Sequence, residues 1–140
     1  MALCSYFNEG RLFITAPYYD ETFIEVMSKH LQMRSSTFEV IVKNESIAQK
    51  VAASFRQHGA KNVQLYISKH IHAKVYVFES RRGDLAAMIG SHNPTRAGMS
   101  RNLEIGIVIS AKPNKPEWKM ISDLRDYLKR KSRFYASLKA

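Results

Sequence analysis

The sequence predicts one α/β domain whose mixed, largely parallel β-sheet is flanked by helices on both faces. In the first half, apolar runs of strand length alternate with stretches whose apolar residues recur at helical spacing. This alternation is typical of layered domains with parallel pairing. The second half is richer in strands, which makes the sheet mixed. We find no repeat, low-complexity tract or linker in the 140 residues, so residues 1–140 are predicted to form a single domain.

Three strands and two helices are predicted in the first half. The strands are residues 11–16, 38–43 and 63–67. Asp20 is placed to cap the first helix and Asn44 the second, and Gly59 is placed to end the second helix. The expected core faces of the two helices are Phe23, Ile24, Met27 and Leu31, and Ile47, Val51, Ala52 and Phe55.

The second half is predicted to contain three strands and a terminal helix. Residues 72–78 and 85–90 are strands joined by a charged, glycine-containing connection at 81–84, as in a hairpin. A helix is expected to start at Asn93-Pro94-Thr95. Residues 103–110 form the last core strand, and Pro113 and Pro116 precede the terminal helix. That helix turns Trp118, Ile121, Leu124 and Leu128 inward.

The charge balance favours polyanionic partners. The chain has 22 Lys and Arg against 12 Asp and Glu, a net charge of +10. Nucleic acid is the first candidate and an anionic membrane surface the second, and charge alone also fits a merely soluble basic protein.

Cysteine usage and hydropathy indicate the compartment. The single cysteine, Cys4, cannot form an intramolecular disulfide, and no signal-peptide pattern is seen. We therefore expect a cytoplasmic protein. No apolar run approaches the roughly 18–20 residues that span a bilayer, so stable membrane association is not expected.

Four polar residues are predicted to meet where two strands end. His72 and Lys74 lie two apart and share one face of a strand, while Ser91 and Asn93 follow the next strand. Together they offer a nucleophile or base, a cation and two neutral hydrogen-bonding groups, which suits a phosphate ester. No carboxylate pair accompanies them, so we expect no Mg²⁺ requirement and no cofactor. Histidines 70, 72 and 92 could in principle bind zinc, but no cysteine or second ligand pair supports such a site.

Two of the polar residues have alternative explanations. Asn93 is well placed simply to cap the helix that begins at Pro94. Glu104 lies within an apolar strand, where an unpaired carboxylate would cost several kcal/mol or more. It is therefore expected to have a cationic or N–H partner, unless the strand lies at an edge and Glu104 faces water.

The order of these residues resembles the HKD signature of the phospholipase D superfamily. His72-Ala-Lys74 is followed after four residues by an acid, Glu79, and then by Gly90-Ser-His-Asn93. The wider run, with TRAG at 95–98 and Asn-Leu-Glu at 102–104, more closely resembles the bacterial nuclease branch and spans about half of the chain. Glu79 stands where the family has aspartate, and the insert at 80–84 is longer than usual.

The resemblance implies a phospholipase D-like α/β/α sandwich and a role for each site residue. His72 would attack phosphorus and form a covalent phosphohistidine. Lys74 and Asn93 would bind the non-bridging oxygens, supported by Ser91, and Glu104 would orient the imidazole. Full members carry two copies of the motif and short members pair two chains. One HxK therefore implies a homodimer that shares a site on its two-fold axis.

The leading interpretation is a metal-independent phosphodiesterase acting on nucleic acid, with DNA favoured over RNA. A phospholipase or phosphatidyl transferase is the second candidate, but it would need two motif copies and an apolar docking loop. A non-catalytic basic module that binds nucleic acid is the third. Five residues are candidates for binding flanking phosphates, although each arginine could also be a solvated surface charge. These five are Arg96, Arg101, Arg81, Arg82 and His70.

Overall fold

The computed structural model describes residues 8–95, 97–98 and 103–138. They form one seven-stranded sheet with the order β6-β5-β4-β1-β2-β3-β7. The strands are β1 (Gly10–Thr15), β2 (Thr37–Val42), β3 (Asn62–Ile67), β4 (Val75–Ser80), β5 (Leu85–Gly90), β6 (Gly106–Ala111) and β7 (Arg133–Leu138).

In the described part of the chain, three helices cover the two faces of this sheet. They are α1 (Glu21–Ser28), α2 (Glu45–Gln57) and α3 (Pro116–Arg130). The predicted caps of the first two helices are confirmed, since the side chains of Asp20 and Asn44 accept hydrogen bonds from the backbone N–H of Phe23 and Ile47. One hydrophobic core lies between the sheet and α1 and α2, and a second lies under α3. The predicted layering is therefore present.

The expectation of a largely parallel sheet is wrong. Only β1–β2 and β2–β3 pair in parallel, whereas the other four strand pairs are antiparallel. Central strands are covered on both faces here, so they read as continuous apolar runs whichever way they pair. The predicted hairpin is confirmed, since β4 and β5 pair antiparallel through the turn at residues 81–84.

Three strands also differ from expectation. β4 begins at Val75, so His72 and Lys74 lie in the segment before it. The predicted core strand at 103–110 is β6, an edge strand whose residues are mostly exposed. β7 was not predicted, because its sequence, RFYASL, continues a basic helix end without a glycine or proline to mark a break.

One edge of the domain, which we call the site edge, collects the segments of functional interest. Strand directions bring the ends of β1, β2, β3 and β5 there, together with the starts of β4, β6 and β7. Ligands of α/β sheets commonly bind where parallel strands end. The 81–84 turn lies at the opposite edge.

A charged layer lies between the sheet and α3. Glu39 of β2 is 1% exposed and accepts hydrogen bonds from Arg11 at 2.7 Å and from Lys129. Glu79 of β4 accepts a hydrogen bond from the buried Arg125 at 2.6 Å. Burial alone would raise the pKa of the Glu39 carboxyl, but Lys129 and Arg11 outweigh burial and lower the pKa below its usual value. Glu79, the acid of the HKD-like signature, thus connects the sheet to Arg125 of α3.

Candidate active site

The HxK segment leads into β4 at the site edge. His72 is exposed and Lys74 is half-buried, with the Lys74 ammonium donating to the backbone carbonyl of His72 at 3.1 Å. The backbone N–H of Gly90 donates to the carbonyl of Lys74 at 3.3 Å. This bond continues the β4–β5 register past Val75 and places HxK beside the start of GSxN.

Ser91 joins the GSxN segment to the residues before β6. Its backbone N–H donates to the carbonyl of Ile105 at 2.9 Å, and the N–H of Ile105 donates to the Ser91 hydroxyl oxygen at 3.0 Å. The Ser91 hydroxyl in turn donates to the carboxylate of Glu104. Ser91 is therefore engaged with Glu104, and its expected role as a supporting donor to phosphate remains a prediction.

Glu104 fits neither of the two environments considered from sequence. It precedes β6 and is half-buried, so it is not inside a core strand, and its hydrogen bond to Ser91 means that it is not simply solvated. Its predicted contact with the imidazole of His72 remains a prediction. The backbone bonds between 74 and 90 and between 91 and 105 nevertheless bring HxK, GSxN and Glu104 together at the site edge.

Two glycines allow these segments to approach closely. A Cβ built on Gly90 would lie 2.4 Å from the carbonyl oxygen of Ile105 and 2.6 Å from the Cα of Gly106. A Cβ on Gly106 would lie 3.3 Å from the ring of His92. The His92 ring thus packs over Gly106, and its Nδ1 is buried without a hydrogen-bond partner within the described part of the chain.

Tyr76 is a member of the site that sequence reasoning missed. Its hydroxyl donates to the backbone carbonyl of His92 at 2.8 Å and fixes the centre of GSxN against β4. Burial, and secondarily the negative charge of Glu104, raise the pKa of Tyr76 well above its usual value, so it stays a donor. A tyrosine in an apolar strand beside Val75 and Val77 has no sequence signal beyond core packing.

Asn93 does not provide the cap that its alternative explanation required. The cap-type hydrogen bond at this point comes from Thr95, whose Oγ1 accepts from the N–H of Gly98 at 3.0 Å. Asn93 Oδ1 is buried and has no hydrogen-bond partner among the residues that the structure describes. The Asn93 side chain therefore has an unused polar atom next to Ser91 and His92.

The predicted phosphate-binding residues are not all at this site. Arg81 and Arg82 lie on the turn at the opposite edge, and Arg81 pairs there with Glu9 at 2.5 Å. His70 lies at the site edge, where it lines a cleft beside the ends of β2 and β3. Arg96 and Arg101 lie outside the described residues, as does Cys4.

The described residues contain neither a metal-binding cluster nor a helix that could span a membrane. Within residues 8–95, 97–98 and 103–138, no cluster of three or more His, Cys, Asp or Glu side chains could hold a metal ion. The helices of the same residues are too short or too polar for any of them to cross a bilayer.

Comparisons with known proteins agree with this architecture. The family model described as "Cardiolipin synthase, PLD-like domain" matches residues 6–131. No curated protein sequence matches the chain. Nuc, a phospholipase D family member from Salmonella typhimurium, superposes with a TM-score of 0.63 at 14% identity, covering 96% of this chain and 86% of Nuc.

Two further solved structures share the fold. NucT from Helicobacter pylori superposes with a TM-score of 0.63 at 13% identity, covering 96% of this chain and 89% of NucT. Polyphosphate kinase from Porphyromonas gingivalis superposes with a TM-score of 0.54 at 12% identity, covering 88% of this chain and 18% of the kinase. At these identities the likeness concerns the fold alone, and the chemistry must be argued from the site.

Proposed function

Since the chain belongs to the family of phospholipase D-like domains, we propose that it is a metal-independent phosphodiesterase that hydrolyses nucleic acid, with DNA favoured. The observation that carries the proposal is the convergence of HxK, GSxN and Glu104 at one edge of the sheet through backbone hydrogen bonds. A net charge of +10 favours a polyanionic substrate. The fold shared with Nuc and NucT supports a phosphodiesterase.

The proposed reaction has two displacements at phosphorus. The neutral imidazole of His72 attacks, a bond forms between nitrogen and phosphorus, and the bond to the leaving oxygen breaks. A second imidazolium gives that oxygen its proton, which releases an alcohol. This second imidazole, now neutral, takes a proton from water. The resulting hydroxide forms a new bond to phosphorus, the bond to His72 breaks, and a phosphomonoester leaves.

The other site residues have separate roles in this scheme. The Lys74 ammonium and the Asn93 side chain bind the non-bridging phosphate oxygens, whose charge must be stabilised in the transition state. Glu104 orients an imidazole and stabilises its protonated form. Ser91 acts as a positioning residue, because its hydroxyl donates to Glu104.

The second imidazolium is proposed to come from a second copy of the chain. Each chain supplies one HxK, and β6 offers a surface that a second copy would cover. β6 is an edge strand, and Ile105 just before it and Ile107 within it are 79% and 65% exposed. Exposed apolar edges are a common site of strand-to-strand association. Because Ile105 is hydrogen-bonded to Ser91, a two-fold axis near β6 would bring the candidate active sites of the two chains close together.

Plasmid cleavage in the presence of EDTA tests the proposal. The wild-type protein is expected to nick DNA under chelation, and His72→Ala is expected to be inactive. The control is His30→Ala, which removes a histidine outside the site edge and is expected to keep activity. Turnover of phosphatidyl lipids without nicking would favour a phospholipase. Binding of DNA without turnover of either substrate would favour a non-catalytic module. Either result would contradict the proposal.

A further inference from the structure

A cleft of about 590 Å³ opens at the site edge beside β2, β3 and β7. Its walls are the ends of β2 and β3, the first residues of α2 and the turn between α3 and β7. We call this the basic cleft, because its lining includes five cationic side chains and a single carboxylate, that of Glu45. The cations are Lys43, Lys69, Arg130, Lys131 and Arg133.

Most of these cations have no carboxylate partner. Arg133 lies 3.5 Å from Glu45, whereas the other four form no ion pair with any residue that the structure describes. Some exposed cations elsewhere form ion pairs, as Arg81 does with Glu9 at 2.5 Å and Lys119 with Asp123 at 2.6 Å. Clustered like charges repel one another, so a cleft built this way favours an anion with several charges.

The backbone that carries these cations is held in place. The N–H of Ser68 donates to the carbonyl of Val42 at 2.9 Å, and the N–H of Ile71 donates to the carbonyl of Ser68 at 3.0 Å. Across the cleft, the Ser132 hydroxyl donates to the carbonyl of Leu128 at 2.8 Å. A fixed wall lowers the entropic cost of binding an extended ligand.

The chain segment that lines the basic cleft leads into the candidate active site. Lys69 and His70 line the cleft, and His72 and Lys74 follow two to five residues later in the same segment. Three strand spacings separate β3 from β4, roughly 14 Å. That distance is short enough for one nucleic-acid strand of several nucleotides to contact both places.

We infer that the basic cleft binds the phosphate backbone of the substrate strand a few nucleotides from the bond that is cleaved. This rests on the proposed function and narrows it, because the substrate must then be a polymer rather than a short diester. An anionic membrane surface fits less well: the cleft is concave, and Ile67, its one lining residue with a large aliphatic side chain, is buried.

Binding measured without cleavage tests the inference. In a His72→Ala background, fluorescence anisotropy would follow a labelled dinucleotide and a labelled single strand of about 12 nucleotides over a salt series. The test variant is Lys43→Gln/Lys69→Gln. The matched control, Lys112→Gln/Lys115→Gln, removes the same charge from exposed positions at the opposite edge.

The test variant is expected to lose affinity for the long strand, and its salt slope is expected to fall by about 1.4 for two lost phosphate contacts. Between roughly 50 and 200 mM salt, the affinity of the test variant for the long strand is therefore expected to fall about sevenfold less than that of the control. The short strand, which cannot span site and cleft, should bind equally weakly to test and control variants. Equal affinity of test and control for the long strand would overturn the inference, as would cleft-dependent binding to phosphatidylglycerol vesicles in place of the long strand.

Cleavage separates a failure here from a failure of the proposed function. With His72 intact, the ratio of kcat/KM for the long strand to that for the short one is expected to fall in the test variant and not in the control. An unchanged ratio in a protein that nicks DNA would refute the basic cleft alone. A wild-type protein without phosphodiesterase activity would refute the proposed function, while the binding series would still decide on the cleft.

Discussion

Replacing Glu79 with the aspartate that the phospholipase D signature usually carries is expected to destabilise this protein. Glu79 reaches across the second core to accept a hydrogen bond from Arg125 at 2.6 Å, and Arg125 is 7% exposed. Removing one methylene withdraws the carboxylate by about 1.5 Å. The pair would then lie near 4 Å, beyond hydrogen-bonding range.

The size of the effect follows from the burial of the arginine. A hydrogen bond between charged groups contributes about 1.5–3 kcal/mol, and Arg125 would keep only Asp126, whose nearest oxygen lies at 4.0 Å. We expect Glu79→Asp to lower the free energy of unfolding by about 2 kcal/mol. In a domain of this size that corresponds to a decrease in Tm of roughly 6–8 °C.

Urea unfolding at 25 °C, with thermal melts in parallel, measures this change. The matched control is Glu45→Asp, which shortens a glutamate whose arginine partner lies 3.5 Å away and is mostly exposed. The control should cost less than about 0.5 kcal/mol. Equal stability of Glu79→Asp and wild type would refute the reasoning. So would a loss of kcat without a loss of stability, because Glu79 lies at the far end of β4 from Lys74.

Three other perturbations test separate parts of the structure. The lowered pKa of Glu39 means that its carboxylate stabilises the fold above its usual pKa of 4.5 and that this stability is lost as pH falls through the lowered value. Glu39→Gln should therefore lose less unfolding free energy between pH 7 and about pH 3 than wild type, and an equal loss would contradict this. Gly90→Ala places a Cβ against the backbone of Ile105 and should lower stability by about 1–3 kcal/mol or more, so an unchanged Tm would show that the strands are not this close. Ile107→Asp on β6 should convert a dimer to monomers in light scattering, whereas Phe134→Asp on the other edge strand, β7, should not. A dimer that survives Ile107→Asp would show that β6 is not in the interface.

The first half of the fold could be predicted because its signals are local. Asp20, Asn44 and Gly59 mark helix ends through side-chain caps and a positive φ of 86° at Gly59, and apolar spacing gives the inner faces. Whether two strands pair parallel or antiparallel is not determined by local sequence signals. A strand covered on both faces, such as β4 with its Val-Tyr-Val-Phe run, reads the same whether its neighbours are parallel or antiparallel.

The same distinction applies to the site. The positions of His72, Lys74, Ser91 and Asn93 at two strand ends indicated one cluster, and the family resemblance added Glu104 to it. The sequence could not indicate which groups bond to each other. The hydrogen bond from Ser91 to Glu104 was not predicted, since that contact depends on how far β5 and β6 extend beyond their register. Apolar residues at 103–110 predicted a core strand, whereas the strand observed there is the exposed edge strand β6. We propose that a second chain covers it.

The central claim is that one active site needs an imidazole from each of two identical chains. Wild-type protein can be mixed with increasing fractions of His72→Ala, allowed to exchange subunits, and assayed on DNA under chelation. If both imidazoles are required, an equal mixture retains about one quarter of the wild-type activity at constant total protein, because only wild-type pairs are active. If each chain acts alone, the mixture retains about one half, and that linear dependence would contradict the shared site.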